Sequence, residues 1–296
     1  MKYAMVMRIL LFLLILCMNL IAGCGGQQAD QSKLQVVASF YPMAEFTQAV
    51  GGSHVQVTTM VPDGAEPHDW EPSPRDLTVL GNAKVFVYNG IVEPWAKQAL
   101  DALSDKKILA VEAGQGLFDR NGKQDPHVWV SPKKAMIEVQ HITKALCQAD
   151  PKNKEANERN SKAYMEKLQV LDKQLEQTAA TAKKKVFVTA HAAFGHLAAD
   201  YGLQQLSVKG ISAEAEPTPA DMQRLIATVK KENVRYIFFE TLTDPKIAKL
   251  VADETGAQTA VLDPLEGVDE AGRKAGLDYL KITERNITNL KKALNE

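Results

Sequence analysis

The chain has 296 residues, a formal charge of −1 and 45% hydrophobic residues, enough for more than one core-forming domain. Its 35 Lys and Arg residues are dispersed with no basic block or patch, which argues against a nucleic-acid partner. Of its three cysteines, Cys17 and Cys24 lie in the N-terminal segment described next and only Cys147 remains, so the mature chain has no internal disulfide.

Residues 1–24 read as a targeting segment and not as part of the fold. Lys2 and Arg8 are followed by a nearly continuous apolar run over residues 9–21 and then by small residues before Cys24. The run is too short to span a bilayer comfortably, and its flanks are secretory. Ile21-Ala22-Gly23-Cys24 resembles a bacterial lipobox, so Cys24 is expected to be lipidated and to become the mature N-terminus, outside the cytoplasm and anchored to the cell membrane. Removal of residues 1–23 takes Lys2 and Arg8 with it and shifts the formal charge from −1 to −3. Residues 25–33 are polar, lack apolar periodicity and read as a tether.

From Leu34 strand and helix patterns alternate. Residues 34–40, 55–61, 84–88 and 107–111 read as strands, and 43–50, 74–82 and 94–103 as helices. Ser131-Pro132 opens a helix to about Ala149, broken by Asp150-Pro151. Residues 153–184 lack Pro and Gly, and Tyr164, Leu168, Leu171, Leu175 and Ala182 form one stripe, which predicts an amphipathic helix of about thirty residues, roughly 45 Å long. The alternation then restarts. Strands are expected at 185–189, 203–208, 235–239 and 259–262, and helices to Tyr201, from Pro219 to Glu232, at 245–255 and at 278–294. The expected fold is α/β: two parallel-sheet domains, 34–152 and 185–296, joined by one long rigid backbone helix, 153–184.

The segment 61–76 is the most specialised connection. Pro67, Pro72 and Pro74 stiffen it and bias the residues before them towards extended backbone, so His68 is presented by a nearly rigid turn. Ser73, Pro74 and Asp76 suit the start of the next helix as cap, first residue and capping-box partner. His127 stands in a second Pro-flanked segment, 124–132, and His191 follows the first strand of the second half. All three lie at strand ends, where an open α/β sheet binds ligands. The loop after the last strand, 262–267, offers Asp263 or Glu266. Three imidazoles and a carboxylate form a tetrahedral set suited to Zn²⁺, with two ligands from each half and the ion in the interdomain cleft. His54, His141 and His196 read as ordinary loop or helix-face residues, and His196, five residues after His191, points away from it on a helix.

Residues 64–76, 125–132 and 189–195 together resemble one family, the zinc/manganese solute-binding lipoproteins of bacterial ABC transporters, and the likeness runs along essentially the whole mature chain. It implies two α/β domains on a backbone helix, a metal buried between them, and His68, His127 and His191 as the first three ligands. Manganese-preferring members usually carry a glutamate at the third position, so His191 points to zinc. The 75-residue interval from His191 resembles the family spacing to its acidic ligand and selects Glu266 over Asp263. The chain lacks the His-rich loop of many zinc-specific members and the cysteine pair of some.

The function expected on this basis is an extracytoplasmic Zn²⁺ receptor that delivers the ion to an ABC permease and its ATPase. It would be held at the membrane by its N-terminal lipid, act as a monomer and catalyse nothing. A manganese receptor of the same family is the alternative, and a zinc metalloenzyme a more distant one, since three histidines can leave a position for an activated water. An added role in cell adhesion is compatible with the sequence.

Overall fold

The valine-rich segments Leu34–Ala38 and Val85–Tyr88 lack the apolar–polar alternation of a half-exposed strand, and both are buried on two faces as central strands of a parallel sheet. The computed structural model describes residues 32–118, 125–210, 217–242 and 244–296. The leader with Cys24, and the tether up to residue 31, lie outside the described residues.

In the first half, β1 (Leu34–Ala38), α1 (Tyr41–Gly51), β2 (Val55–Thr59), α2 (Pro74–Gly81), β3 (Val85–Tyr88), α3 (Ala96–Ala102) and β4 (Leu109–Glu112) form a parallel sheet in the order β2-β1-β3-β4. Next come α4 (Pro132–Ala149) and the 28-residue α5 (Lys154–Thr181), about 42 Å long at the usual rise. The second half comprises β5 (Val186–Thr189), α6 (Gly195–Tyr201), β6 (Gln204–Ser207), α7 (Pro219–Lys231), β7 (Tyr236–Phe239), α8 (Lys246–Thr255), β8 (Gln258–Val261), α9 (Glu270–Lys274) and α10 (Tyr279–Asn295). Its sheet is again parallel, with the order β6-β5-β7-β8. The expected α/β architecture is therefore present twice, with the long helix between.

Tyr164, Leu168, Leu171, Leu175 and Ala179 form the buried stripe of α5, which packs on α1, α4 and α10 and so touches both halves. One apolar cluster continues from Phe40, Phe46 and Trp129 of the first half into Phe187, Phe194, Leu262 and Tyr279 of the second. Phe40 and Tyr279 make edge-on ring contacts with Trp129 and Phe46, each at a centroid distance of 4.9 Å.

Local chemistry sets most boundaries. Ser73–Asp76 and Thr218–Asp221 are capping boxes at the two proline-started helices α2 and α7. Gly202 and Gly256 end α6 and α8 with φ of 66° and 73°, which a residue with a Cβ adopts only at a cost. Three details differ from the sequence pattern. Strand β4 starts at Leu109 because Lys107 takes a left-handed φ of 53°. Residues 190–194 stay out of the helix that follows, since the His191 carbonyl accepts bonds from Thr189 Oγ1 and Gln205 Nε2. The short helix α9 is capped by Asp269, whose side chain accepts from the Gly272 N–H.

Candidate metal centre

Both sheet orders place the first strand of the half between its neighbours, so the connections leave in opposite directions on either side of β1 and of β5. Carboxyl-terminal loops splay apart at such points and leave a crevice. The loop after β2 carries His68, that after β4 carries His127, and those after β5 and β8 carry His191 and Glu266.

In the first of these, the His68 N–H donates to Glu66 Oε1 at 3.2 Å, which tightens the turn around Pro67. The His127 loop is braced from several directions. Asp125 Oδ1 accepts both the His127 N–H at 3.0 Å and Nδ1 at 2.7 Å, Asn89 Nδ2 donates to the Pro126 carbonyl at 3.1 Å, and His196 Nε2 meets the Asp125 carbonyl at 2.9 Å. His196 is thus more than a helix-face residue, since it ties α6 to the loop that presents His127.

Behind His191 stands Glu240, at the end of β7. Its Oε1 accepts the His191 N–H at 3.2 Å and lies 2.6 Å from Nδ1, off the hydrogen-bonding direction, so the side-chain contact is an ion-pair approach. Glu266 follows Leu265, which takes a left-handed φ of 63°. The neighbouring Asp263 is fully engaged elsewhere. Its carboxylate accepts from the Leu265 N–H, Thr241 Oγ1 and Arg285 Nη2, and Asn286 brackets its backbone N–H and carbonyl. Asp263 builds the turn that aims Glu266 inward.

The four sequence candidates come together as three plus one. His68 Nε2 lies 3.1 Å from His127 Nε2, and Glu266 Oε1 lies 3.2 Å and 3.1 Å from these two atoms. These three residues form a cluster whose ligating atoms all fall within 4.8 Å of one another. His191 Nε2 stands slightly back, 3.7 Å from Glu266 Oε1. His54 and His141 take no part: His54 ends a short 3-10 turn, and His141 Nδ1 bonds the Ala113 carbonyl at 2.8 Å.

Burial makes the charges interdependent. It penalises a charged His191, but Glu240 and Glu266 outweigh it and push the imidazole up to about 10. Burial likewise opposes charge on His127, which Asp125 and Glu266 nevertheless raise above its ordinary value. For Glu266 burial acts upward, and the three imidazoles overcome it and hold the carboxyl well below its usual range. Glu66 is pushed up to about 7 by burial and by the charge of Glu266, against His68. The charges of His127, His191 and Glu266 are thus coupled through their contacts.

Sequence reading missed Glu66 and Glu240 as members of the site and gave Asp125 no role. Asp125 and Glu66 each stand two residues before a candidate histidine, which is a usable local signal. Glu240 is 49 residues from His191, and only the pairing of β5 with β7 brings the two together.

The chain is similar to known zinc-uptake and zinc-binding proteins. The family described as "ZnuA: Zinc-uptake complex component A periplasmic" matches residues 36–293. The high-affinity zinc uptake system protein ZnuA of Bacillus subtilis is 39% identical over 308 aligned residues, covering 96% of this chain and 97% of that protein. The zinc-binding lipoprotein AdcA of Streptococcus pneumoniae is 38% identical over 98% of this chain, which spans 61% of AdcA. The solved Zn(II)-bound ZnuA-like domain of AdcA superposes with a TM-score of 0.81 at 41% identity, over 89% of this chain and 100% of that domain. A laminin-binding protein of Streptococcus agalactiae, described as having adhesin and metal-transporting activity, superposes with a TM-score of 0.82 at 36% identity, over 88% of this chain and 100% of that one.

Proposed function

We propose, since the chain belongs to the ZnuA family of zinc-uptake components, that it is a zinc receptor whose His68, His127, His191 and Glu266 hold the ion as cargo. The observation that carries this reading is the spacing of the four side chains. A tetrahedral Zn²⁺ with bonds of about 2.0–2.1 Å sets its ligands about 3.3 Å apart. The contacts among His68, His127 and Glu266 run from 3.1 to 3.2 Å, and His191 reaches Glu266 at 3.7 Å from outside that close set, which supports the ligand set with His191 closing in on the ion. Three nitrogens and one oxygen favour zinc over manganese, whose preference is for oxygen donors.

The receptor delivers Zn²⁺ to a membrane permease driven by its ATPase, acts as a monomer, and is anchored outside the cytoplasm through a lipid on Cys24. The lipobox-like residues 21–24 support the anchor. Catalysis is not its role: Glu266 occupies the position that a zinc hydrolase keeps for water.

Metal analysis and calorimetric titration of the purified mature protein test this. One Zn²⁺ per chain is expected, with binding lost in His127→Ala. A wild-type protein that takes up no zinc would refute the receptor, and full-strength binding by His127→Ala would refute the ligand set.

A further inference from the structure

Each imidazole of the site has a carboxylate of its own, and the three pairs are not built alike. In every pair one carboxylate oxygen accepts the backbone N–H of the histidine: Glu66 from His68 at 3.2 Å, Asp125 from His127 at 3.0 Å and Glu240 from His191 at 3.2 Å. Asp125 and Glu240 also approach Nδ1, at 2.7 and 2.6 Å, and therefore stand behind the ring. There they leave Nε2 to face the point where the ligands converge, the usual arrangement of a metal-binding histidine and its outer carboxylate. Glu66 is the exception. Its Oε1 lies 4.0 Å from Nε2 of His68, on the side of the ring that faces His127 and Glu266.

Glu66 also marks the solvent side of the site. Its side chain is 16% exposed and that of His68 is 11%, against 1% for Glu266 and none for His127 and His191. Yet its Oε2 is buried and has no hydrogen-bond partner among the described residues. A carboxylate oxygen in that state is costly unless something positive meets it. Glu66, like His191, falls outside the close set of His68, His127 and Glu266, but it does so on the solvent side, whereas His191 is fully buried.

We propose that Glu66 is a transfer ligand, the first protein group to take the ion at the mouth of the cleft and the last to release it. This rests on the zinc-receptor reading above. On entry, Oε2 of Glu66 replaces one water on the hydrated ion while Oε1 stays bonded to the His68 N–H. His68 Nε2 on the same proline-stiffened turn replaces a second water. Oε2 and the remaining waters then leave as His127, His191 and Glu266 close on the ion, and the protons the imidazoles carried pass to the solvent. Only bonds to the ion and to the displaced protons change, no electron moves, and release runs through the same steps in reverse.

Kinetics distinguish a transfer ligand from its alternatives. A group bound only on the way lowers the barrier in both directions, so its removal slows loading and release together and leaves the equilibrium constant in place. Loss of a ligand of the bound state instead speeds release and weakens binding. Loss of a merely attractive charge slows loading alone.

Stopped-flow measurement of Zn²⁺ loading, and of Zn²⁺ release to excess EDTA, on the mature wild type and on Glu66→Gln decides between them, with the absorption spectrum of the Co²⁺-loaded proteins as a monitor of the bound site. In the variant both rates are expected to fall together by about tenfold or more, the low end of what a charge-lined cleft adds to association, with the Kd and the Co²⁺ spectrum unchanged. Faster release with an altered Co²⁺ spectrum would overturn the proposal by making Glu66 a ligand of the bound ion. Slower loading with unchanged release, or no change in either rate, would overturn it as well. If wild type itself binds no Zn²⁺, the receptor reading falls first, and the wild-type titration alone shows that.

Discussion

Trp129 Nε1 donates to the carbonyl of Pro264 at 2.8 Å, a bond between residues 135 apart in sequence. Trp129 lies two residues after His127 and Pro264 two before Glu266, so this one contact sets the distance between a candidate ligand from each half. Tyr279 reinforces it by donating its hydroxyl to the Trp129 carbonyl at 2.6 Å. Protein contacts thus hold this side of the cleft together without an ion. Trp129→Phe keeps the aromatic body, removes the donor and leaves a buried carbonyl unpaired, which should destabilise the fold by about 1–3 kcal/mol. Urea unfolding of the metal-free protein measures that loss, and calorimetry should show a parallel loss of zinc affinity.

The loop after β8 offers two acids that the structure treats differently. Glu266→Ala removes the group that meets His68, His127 and His191, and should weaken zinc binding by more than the roughly 10–100-fold typical of losing an outer partner. Asp263→Ala leaves Arg285 Nη2 and the Leu265 N–H without their acceptor, so its main effect should be on stability, with a smaller loss of affinity through a loosened turn. Parallel titrations and melts of the two variants check this. A greater loss of affinity in Asp263→Ala would exchange their roles.

Gly195 reports on the support behind His127. A Cβ built there would lie 2.6 Å from Oδ2 of Asp125, the residue whose other oxygen holds His127 Nδ1. Gly195→Ala should displace that carboxylate and lower zinc affinity by about 10–100-fold although every ligand remains. Equal affinities for variant and wild type, measured by competition with a chelator of known strength, would show that Asp125 does not orient the ring.

The metal-free site should carry protons at neutral pH that zinc must displace. Burial opposes charge on both His127 and His191, but their carboxylate partners raise both, His191 to about 10. Zinc affinity should therefore keep rising with pH well above the ordinary imidazole value of about 6.5, and binding at pH 7 should release more than one proton. Calorimetry in buffers of different ionisation enthalpy counts those protons. For the metal-free fold the sign is opposite. The charged His191 contributes its full stabilisation below about 6.5, and this is lost as pH rises through about 10.

The anchor is tested apart from the site. Cys24→Ala should move the protein from the membrane fraction to the soluble one while zinc binding by the purified chain stays unchanged. Wild-type membrane retention of the variant would remove the lipoprotein assignment.

Residues close in sequence account for what could be read without coordinates. Ser73 with Asp76 and Thr218 with Asp221 fix helix starts by bonds spanning three residues, and the valine-rich strands announce a sheet covered on both faces. His68, His127 and His191 could be picked out because each follows a strand, and strand ends are where a parallel sheet opens. The family-like spacing pointed to Glu266 over Asp263, but the physical reason for the choice lies in the fold. Both acids occupy the same turn, and what separates them is Arg285, Thr241 and Asn286 claiming one while three imidazoles claim the other. Glu240 is hidden for the same reason, since it reaches His191 only through the pairing of two strands far apart in the chain. Backbone preference and capping act over a few residues and leave their mark in the local pattern. The direction of a buried side chain is set by neighbours that only tertiary folding assembles.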